Sequence, residues 1–295
     1  MISILIPSYN YSAFPLAESL SRQVQEFHLT CEIIVADDAS TDSECRRQNY
    51  SIDTLPHCSC LKLTENVGRS RIRNLLASEA KGEWLLFLDC DGMPVDGLFL
   101  TRYVQTVADA GMDTHVVCGG IVHPDHLPSP SVSLRYKYEK QAEPHNSAFQ
   151  RSLRPYASFR TFNFMIRREV FLRIQFDESF HHYGYEDVLF GLHLQQKGLT
   201  IRHIDNPLEN RDIEPNETFL QKTEEALRTL HEQKEKLGDS VLLHHHYLRL
   251  CRLRMIPLVR LLFKWTAPLL EKNLIGHHPN LYFFMFYKMG YYASI

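Results

Sequence analysis

Apolar positions in the first third of the chain fall in short unbroken runs, set apart by stretches with helical spacing. Ile2 to Ile6 is one such run, rich in β-branched residues and stopped by Pro7, and it predicts a buried strand. Phe14 to Phe27 reads as a helix, Glu32 to Ala36 repeats the strand signature, and Leu61 to Leu63 suggests a third short strand. Arg69 to Ala80 carries Ile72, Leu75, Leu76 and Ala80 at helical spacing and is closed by Lys81-Gly82. Trp84 to Leu88 is a fourth apolar run. Strands that alternate with helices predict βαβ units and a mostly parallel sheet, hence an α/β fold.

Ligands of such sheets gather beyond the carboxyl ends of the strands. Polar groups follow three of the predicted strands at once: Ser8-Tyr9-Asn10, Asp37-Asp38 and Asp89-Cys90-Asp91. The pattern therefore predicts that they share one sheet edge. Asp89 and Asp91 suit a hard divalent cation such as Mn²⁺ or Mg²⁺, because both carboxylates can reach one ion where a strand breaks into a turn. Taken alone, such a pair more often merely caps a turn, here the one before Gly92 and Pro94. The run Asp37 to Asp42 can offer a carboxylate to the imide N–H of a uracil ring, with Ser40 and Thr41 capping the next helix, or it can form a solvated turn. Tyr9 offers a face for base stacking or for half-buried packing. From Asn66 to Asn74 a helix opens with Arg69, Arg71 and Arg73 at alternate positions. A helix N-terminus and guanidinium groups favour diphosphate, and the spacing lets at most one or two of the arginines face a site.

The middle of the chain, His123 to Arg160, is rich in Pro, Ser, Tyr and charge and predicts loops around a short helix. A helix is expected from Glu186 to Lys197, stopped by Gly198. Tyr183-Gly184-Tyr185-Glu186-Asp187 begins it, with two acids where the helix dipole favours them; one of them could serve as a general base. Asn216 to Leu237 predicts a long polar amphipathic helix. From Val241 onward Arg249, Arg252, Arg254, Arg260 and Lys264 mix with Leu248, Leu250, Leu253, Ile256, Leu261, Leu262 and Phe263. Helices of this kind lie in a membrane interface, or pack on the catalytic domain or a second subunit. Phe283, Phe284, Phe286, Tyr287, Tyr291 and Tyr292 add aromatic mass suited to the headgroup layer. His244-His245-His246 reads as a solvated turn of helix rather than a metal site.

Composition narrows the picture. At 295 residues, 44 % hydrophobic and 23 % charged, the chain has room for one large domain and an appendage. A net charge of −3 argues against a nucleic-acid binder. The 7 cysteines are scattered without a disulfide framework, and Cys58 and Cys60 are too close for a CxxC motif. Reduced thiols in the cytoplasm are expected. Met1 to Pro7 is too short and uncharged for a signal peptide, and no run of about 20 apolar residues predicts a membrane span.

In this order and spacing the segments resemble the inverting GT-A glycosyltransferases of family 2. The matching pieces are Ile4 to Asn10, Ile33 to Asp42, Asn66-Val67-Gly68 with Arg73-Asn74, Leu88 to Asp91, Phe176 to Phe180 and Tyr183 to Asp187. The resemblance covers roughly residues 1–235. It implies a Rossmann-like, mostly parallel sheet flanked by helices over 1–237; the basic helical extension over 238–295 is read from the tail's own residues. Pro7 and Tyr9 then look like the base-contacting strand end, and Asp38 like the acid that reads uracil. Asn66, Gly68 and Arg73 join the donor-binding set. Asp89 would lie near the ribose and metal, with Asp91 the direct metal ligand. Asp187 looks like the catalytic base and Glu186 like an acceptor-binding neighbour, while Thr161 and Asn163 fall where the donor-sugar pocket is lined. Members of the family often complete the metal shell with a histidine after the last core strand. Here that stretch reads Asn206 to Arg211, with Asn210 or Glu209 near the expected place, either of which could donate oxygen unless water fills the position, and His203 too early.

The implied activity is transfer of a sugar from a nucleotide-diphosphate sugar, UDP-linked by expectation, to a hydroxyl of a glycan or lipid-linked acceptor in surface polysaccharide synthesis. A catalytically inactive nucleotide-sugar-binding or scaffold protein is the alternative. A sugar nucleotidyltransferase would carry a glycine-rich basic loop after the first strand, where Ser8-Tyr9-Asn10-Tyr11 has neither glycine nor base. The expected location is cytoplasmic, with peripheral contact on the cytoplasmic membrane face.

Overall fold

The structure, a computed structural model, describes residues 1–109, 111 and 113–295. They gather into two compact units, one of 1–122, 145–181 and 190–212, the other of 123–144, 182–189 and 213–295.

The first unit is built on strands β1 (Ile2–Ser8), β2 (Cys31–Asp37), β3 (Cys58–Lys62), β4 (Trp84–Leu88), β5 (Gly92–Pro94), β6 (Val116–Cys118), β7 (Ile121–Val122), β8 (Asn163–Arg167), β9 (Ile201–His203) and β10 (Leu208–Asn210). Among the described residues, seven of these form one sheet in the order β3-β2-β1-β4-β8-β6-β9. β8 runs antiparallel to its neighbours β4 and β6, and the other pairings in that sheet are parallel. β1, β2 and β4 are continuous apolar runs because both of their faces are covered. Ile4, Ile6, Ile33, Val35, Leu86 and Leu88 enter the core shared with the helix Phe14–Glu26. The alternating residues Leu5, Ile34, Ala36, Leu85 and Phe87 enter the opposite core, shared with the helix Arg69–Glu79.

From β1 the chain moves outward to β2 and β3, then returns to lay β4 on the other side of β1. The order of strands thus reverses between β1 and β4. In open α/β sheets that reversal leaves a crevice at the carboxyl ends. A second sheet, β5-β10-β7, pairs Asn210 with Gly92 and Leu208 with Pro94. A side chain at position 92 would run into Leu208, so glycine is required there.

The second unit is helical around Leu134, Leu220, Phe263, Leu270, Leu274, Phe284 and Tyr287. Its longer helices are Ser133–Ala142, Asn216–Glu232, Leu242–Arg252, Ile256–Ile275 and Leu281–Ser294. Asn216 is buried, accepts the Leu134 N–H at 2.7 Å and donates to the Gly276 carbonyl at 2.8 Å, which ties three of these segments together.

Several local expectations need correction. The third strand is Cys58–Lys62 rather than Leu61 to Leu63, since pairing with β2 extends it towards its start. The stretch 123–160 holds the helices Ser133–Ala142 and Ala148–Ser152 instead of one short helix among loops. The helix expected over Asn216 to Leu237 breaks after Glu232 and resumes as Lys234–Leu237. His244 is buried and bonded to the Tyr292 hydroxyl at 2.7 Å, so the histidine run is only partly solvated.

Candidate active site

The residues after β1 and β2 are stitched to each other by one side chain. Asn10, at φ 50°, accepts the backbone N–H of Thr41 at 2.7 Å and of Asp42 at 3.0 Å, while its own N–H donates to Ser40 Oγ at 2.9 Å. Asparagine tolerates this left-handed backbone better than most residues. With Ser40 and Thr41 so occupied, the helix Ser43–Tyr50 is capped by Asp42, which accepts the Cys45 N–H at 2.8 Å. The cap expected at Ser40 or Thr41 therefore lies one or two residues later. Pro7 lies half-buried within β1, which runs on to Ser8 instead of stopping at the proline, and Tyr9 beyond it stands exposed, its ring free of the core.

Asp37 and Asp38, at the end of β2, have different tasks. Asp37 is fully buried and accepts from the Ser40 N–H and from Asn49 Nδ2, both at 2.8 Å. Asn49 in turn holds the Tyr11 carbonyl at 3.0 Å and the Ala13 N–H at 2.9 Å, a positioning role its place in the sequence did not reveal. Asp38 accepts the Val67 N–H at 2.8 Å on one oxygen and the Gly68 N–H at 3.0 Å on the other. Asn66 Nδ2 completes the tie by donating to the Asp38 carbonyl at 3.1 Å. Asp38 thereby fixes the turn that leads into the helix Arg69–Glu79, with Gly68 at φ 84° as its N-cap. Burial raises the Asp38 carboxyl above its ordinary range, and the two backbone bonds act against that rise.

Across the switch point, Asp89 follows β4. Arg73 is 1 % exposed and donates from Nη2 to Asp89 Oδ1 at 2.7 Å, with its guanidinium 5.6 Å from the Phe176 ring centre. Arg69, one turn earlier, lies 3.8 Å from the other Asp89 oxygen. Arg71 faces solvent. Two of the three arginines thus converge on one carboxylate, as i, i+4 spacing allows. Between the two aspartates the Cys90 thiol is held well above its ordinary value by burial and by Asp91 and Asp89, so it stays protonated.

Asp91 is fastened from the second sheet, where the Arg211 N–H donates to its carbonyl at 3.2 Å. Just beyond β10 comes Asp212. The Tyr11 phenol is pushed up to about 12, first by burial and then by the charges of Asp212 and Asp91, so these two acids share the surroundings of one hydroxyl. The sequence expectation for the remaining metal ligand rests on Asn210 or Glu209, with His203 too early. Glu209 is bound by Arg211 Nε at 2.6 Å, and Asn210 is buried with its Oδ1 accepting the Asp212 N–H at 3.2 Å. His203 is buried, accepts from Arg151 at 2.9 Å and faces the Pro155 carbonyl at 3.1 Å, which fixes it as a neutral imidazole.

Thr161 and Asn163 are both buried. Asn163 accepts from the Tyr103 hydroxyl at 2.6 Å and donates to the carbonyls of Gly120 and Asn206, each at 2.9 Å. In this structure its amide knits β8 to the loops around β6 and β7.

Glu186 and Asp187 belong to the second unit by their contacts and occupy the first turn of the helix Glu186–Gln196. The turn before them has two consecutive positive φ values, 102° at Gly184 and 67° at Tyr185. A Cβ on Gly184 would meet that of Ala226 at 2.8 Å, so the loop presses closely on the helix Asn216–Glu232. Tyr183 donates its N–H to Glu225 at 3.1 Å and its carbonyl accepts from Thr229 at 3.0 Å. Asp187 Oδ1 accepts the Val188 N–H at 2.8 Å.

Residues 3–174 match the family model described as glycosyl transferase family 2. The chain belongs to that family. An uncharacterized glycosyltransferase of Haemophilus influenzae is 38 % identical over 93 residues, 31 % of this chain and 29 % of that protein. Glycosyltransferase GlyG of Streptococcus pneumoniae is 26 % identical over 125 residues, 42 % of this chain and 40 % of its own. The matched segments thus span well under half the length of these relatives. Among solved structures, mannosyltransferase PcManGT from Pyrobaculum calidifontis, in complex with GDP-Man and Mn²⁺, superposes over 99 % of this chain and 84 % of its own, with a TM-score of 0.54 and 15 % identity. TarS 1–349 of S. aureus in complex with UDP-GlcNAc covers 81 % of this chain and 71 % of its own, with a TM-score of 0.52 and 17 % identity. These likenesses establish the GT-A-like fold, a mostly parallel sheet flanked by helices with further helices at the C-terminus.

Within that fold the acids after β4 and β10 are hard oxygen donors. Among the described residues no group of three or more His, Cys, Asp and Glu is arranged to enclose a metal. Mg²⁺ and Mn²⁺ do not require enclosure, because they take one or two carboxylates and fill the remaining positions with phosphate oxygens and water. The donor set therefore fits an ion shared with a diphosphate, and does not fit a structural ion held by protein alone.

Proposed function

We propose that the protein transfers a sugar from a nucleotide-diphosphate sugar to an acceptor hydroxyl, with inversion at the anomeric carbon. The observation that carries this reading is the gathering of Tyr9, Asp38 and the Arg73–Asp89 pair at strand ends that flank the reversal in strand order. Tyr9 is free to stack on a base, and Asp38 keeps lone pairs for the imide N–H of uracil, which favours UDP as the carrier. Arg69 and Arg73 hold Asp89 in place for the ribose.

Asp91, with Asp89 two residues before it, would hold Mn²⁺ or Mg²⁺. When bound, the ion offsets charge that develops on the departing diphosphate. Asp187 takes the proton from the acceptor hydroxyl as its oxygen bonds to the anomeric carbon; the bond to the diphosphate breaks and its electron pair leaves with the nucleotide. Glu186 lies beside it as an acceptor contact. A glycan or a lipid-linked sugar is the acceptor class that the basic, apolar C-terminal helices favour.

Asp187→Asn tests this directly. Transfer from UDP-sugars with Mn²⁺ should fall about 10²- to 10⁴-fold while donor affinity is kept. Near-normal turnover would remove Asp187 from the role. A wild-type protein that binds donors but neither transfers nor hydrolyses them would establish the inactive binding protein instead.

A further inference from the structure

The helix Ile256–Ile275 is apolar on two faces. Phe263, Leu270 and Leu274 are buried in the core of the helical unit. Leu258, Leu261, Leu262, Trp265 and Leu269 recur at i, i+3, i+4, i+7 and i+11, and all are exposed, Trp265 by 77 % and Leu269 by 71 %. Such spacing makes a stripe about 100° wide. A stripe of this width is the usual size of a core-facing surface, yet here it meets water. Tyr282, Phe283 and Met285 at the start of the next helix are exposed as well.

Charge identifies the occupant. Residues 241–295 carry 7 Lys and Arg against Glu271 alone, whereas the rest of the chain carries 25 against 34 Asp and Glu. Arg249 and Arg252 of the preceding helix line an open cavity with His245, Leu248 and Asp239, and Arg254, Lys264 and Lys272 are exposed nearby in sequence. Long cationic side chains can lay their stems on apolar surface and keep their charges at headgroup level. An exposed tryptophan amid leucines suits the same layer. No helix of the described residues is long and apolar enough to cross a membrane.

We infer that the Leu258–Leu269 face is a peripheral docking surface for an anionic phospholipid bilayer, inserted in the plane of the interface with the arginines and lysines around it meeting phosphate. The stripe lies apart in sequence from every residue assigned to donor or acceptor chemistry, so the inference stands whether or not the transfer reaction is as proposed. A nucleic acid would be met by the cations but not by five exposed apolar side chains. A second copy of this chain would repeat an excess of positive charge on both sides of the contact.

The full chain should sediment with vesicles of phosphatidylglycerol and phosphatidylcholine at low salt, and several-fold less with phosphatidylcholine alone or at 0.5 M salt, on the order of what screening removes. Trp84 is buried, so a blue shift of tryptophan emission on vesicle addition would come from Trp265. Trp265→Phe should lose the shift and keep most of the binding. Leu261→Glu with Leu269→Glu should lower partitioning at least about tenfold, and both positions are exposed enough to leave folding intact. The inference is overturned by absence of sedimentation at low salt, or by a double variant that binds vesicles as well as wild type. It is also overturned by a wild-type dimer that the double variant converts to monomer while vesicles have no effect on either, or by binding to single-stranded RNA with an unshifted tryptophan.

Discussion

The carboxyl edge of the sheet and the C-terminal helices are built on opposite principles. At the edge, charged groups are drawn inward and satisfied by the protein itself: Asp37 by Asn49, Asp38 by two backbone amides, Asp89 by Arg73. In the helices, leucines and a tryptophan are left outside while tyrosine hydroxyls are taken in, as at Tyr287 with Glu224 at 2.6 Å and Tyr292 with His244. Buried polar groups are costly unless their geometry is fixed, so the first region gains rigidity where a ligand's charge must be met. Exposed apolar groups cost the folded state little and keep their free energy for whatever covers them. The two regions should therefore respond very differently to single substitutions.

The largest effect is expected where the inward charge is densest. Arg73→Ala leaves the Asp89 carboxylate without its closest cation in a nearly closed setting, with side-chain exposures of 2 % and 17 % for the pair. Breaking such a pair costs about 3–5 kcal/mol, with the lower end favoured because Asp89 reaches some water. Urea unfolding would report the loss, and Arg73→Lys should recover only part of it because an ammonium lacks the planar fork. Unchanged stability in Arg73→Ala would mean that the edge is as tolerant as a surface.

How far these regions were legible in the sequence follows from the same contrast. β1, β2 and β4 were readable because burial on both faces makes them continuous apolar runs. β6, β7, β9 and β10 have three residues or fewer, too short to separate from chance, and nothing in Asn163 to Arg167 announces that β8 runs backwards. Asp38 and Asp89 could be singled out by their place after strands. Their partners could not, because the amides of Val67 and Gly68 and the guanidinium of Arg73 reach them only through the fold. The surroundings of Asp212 were hidden because β10 pairs with β5, a contact over more than a hundred residues. The basic, apolar character of the tail was plain in composition, but which leucines face inward required the packing of Phe263, Leu270 and Leu274.

A smaller effect, and one that depends on pH, comes from the polar interior behind the edge. Burial holds the His203 imidazole down to about 4 from its ordinary value of 6.5. Between those values the unfolded chain binds a proton that the folded chain refuses. Stability should therefore fall as pH drops from 6.5 towards 4, by roughly 3 kcal/mol in all, and be unaffected by this group above 6.5. His203→Gln keeps an acceptor for Arg151 and removes the titration. Urea midpoints of the two proteins compared at pH 7 and pH 4.5 should converge at the lower value, relative to wild type's larger fall; parallel falls would show that other groups govern the acid side.

The smallest effect is expected on the outer face of Ile256–Ile275, and it sharpens the comparison most because both kinds of surface lie on one helix. Leu269 is 71 % exposed while its neighbour Leu270 is 6 % exposed. Leu269→Ser in buffer removes an apolar group that already faces water, so the unfolding free energy should move by less than about 0.5 kcal/mol. If the outer stripe contributed to folding as the inner one does, the loss would be several-fold larger, and the stripe would then be part of the protein's own core rather than a surface held for another phase. A near-zero change in buffer together with weakened vesicle binding would show that the two faces of one helix do separate jobs, one in holding the fold and the other in meeting what lies outside it.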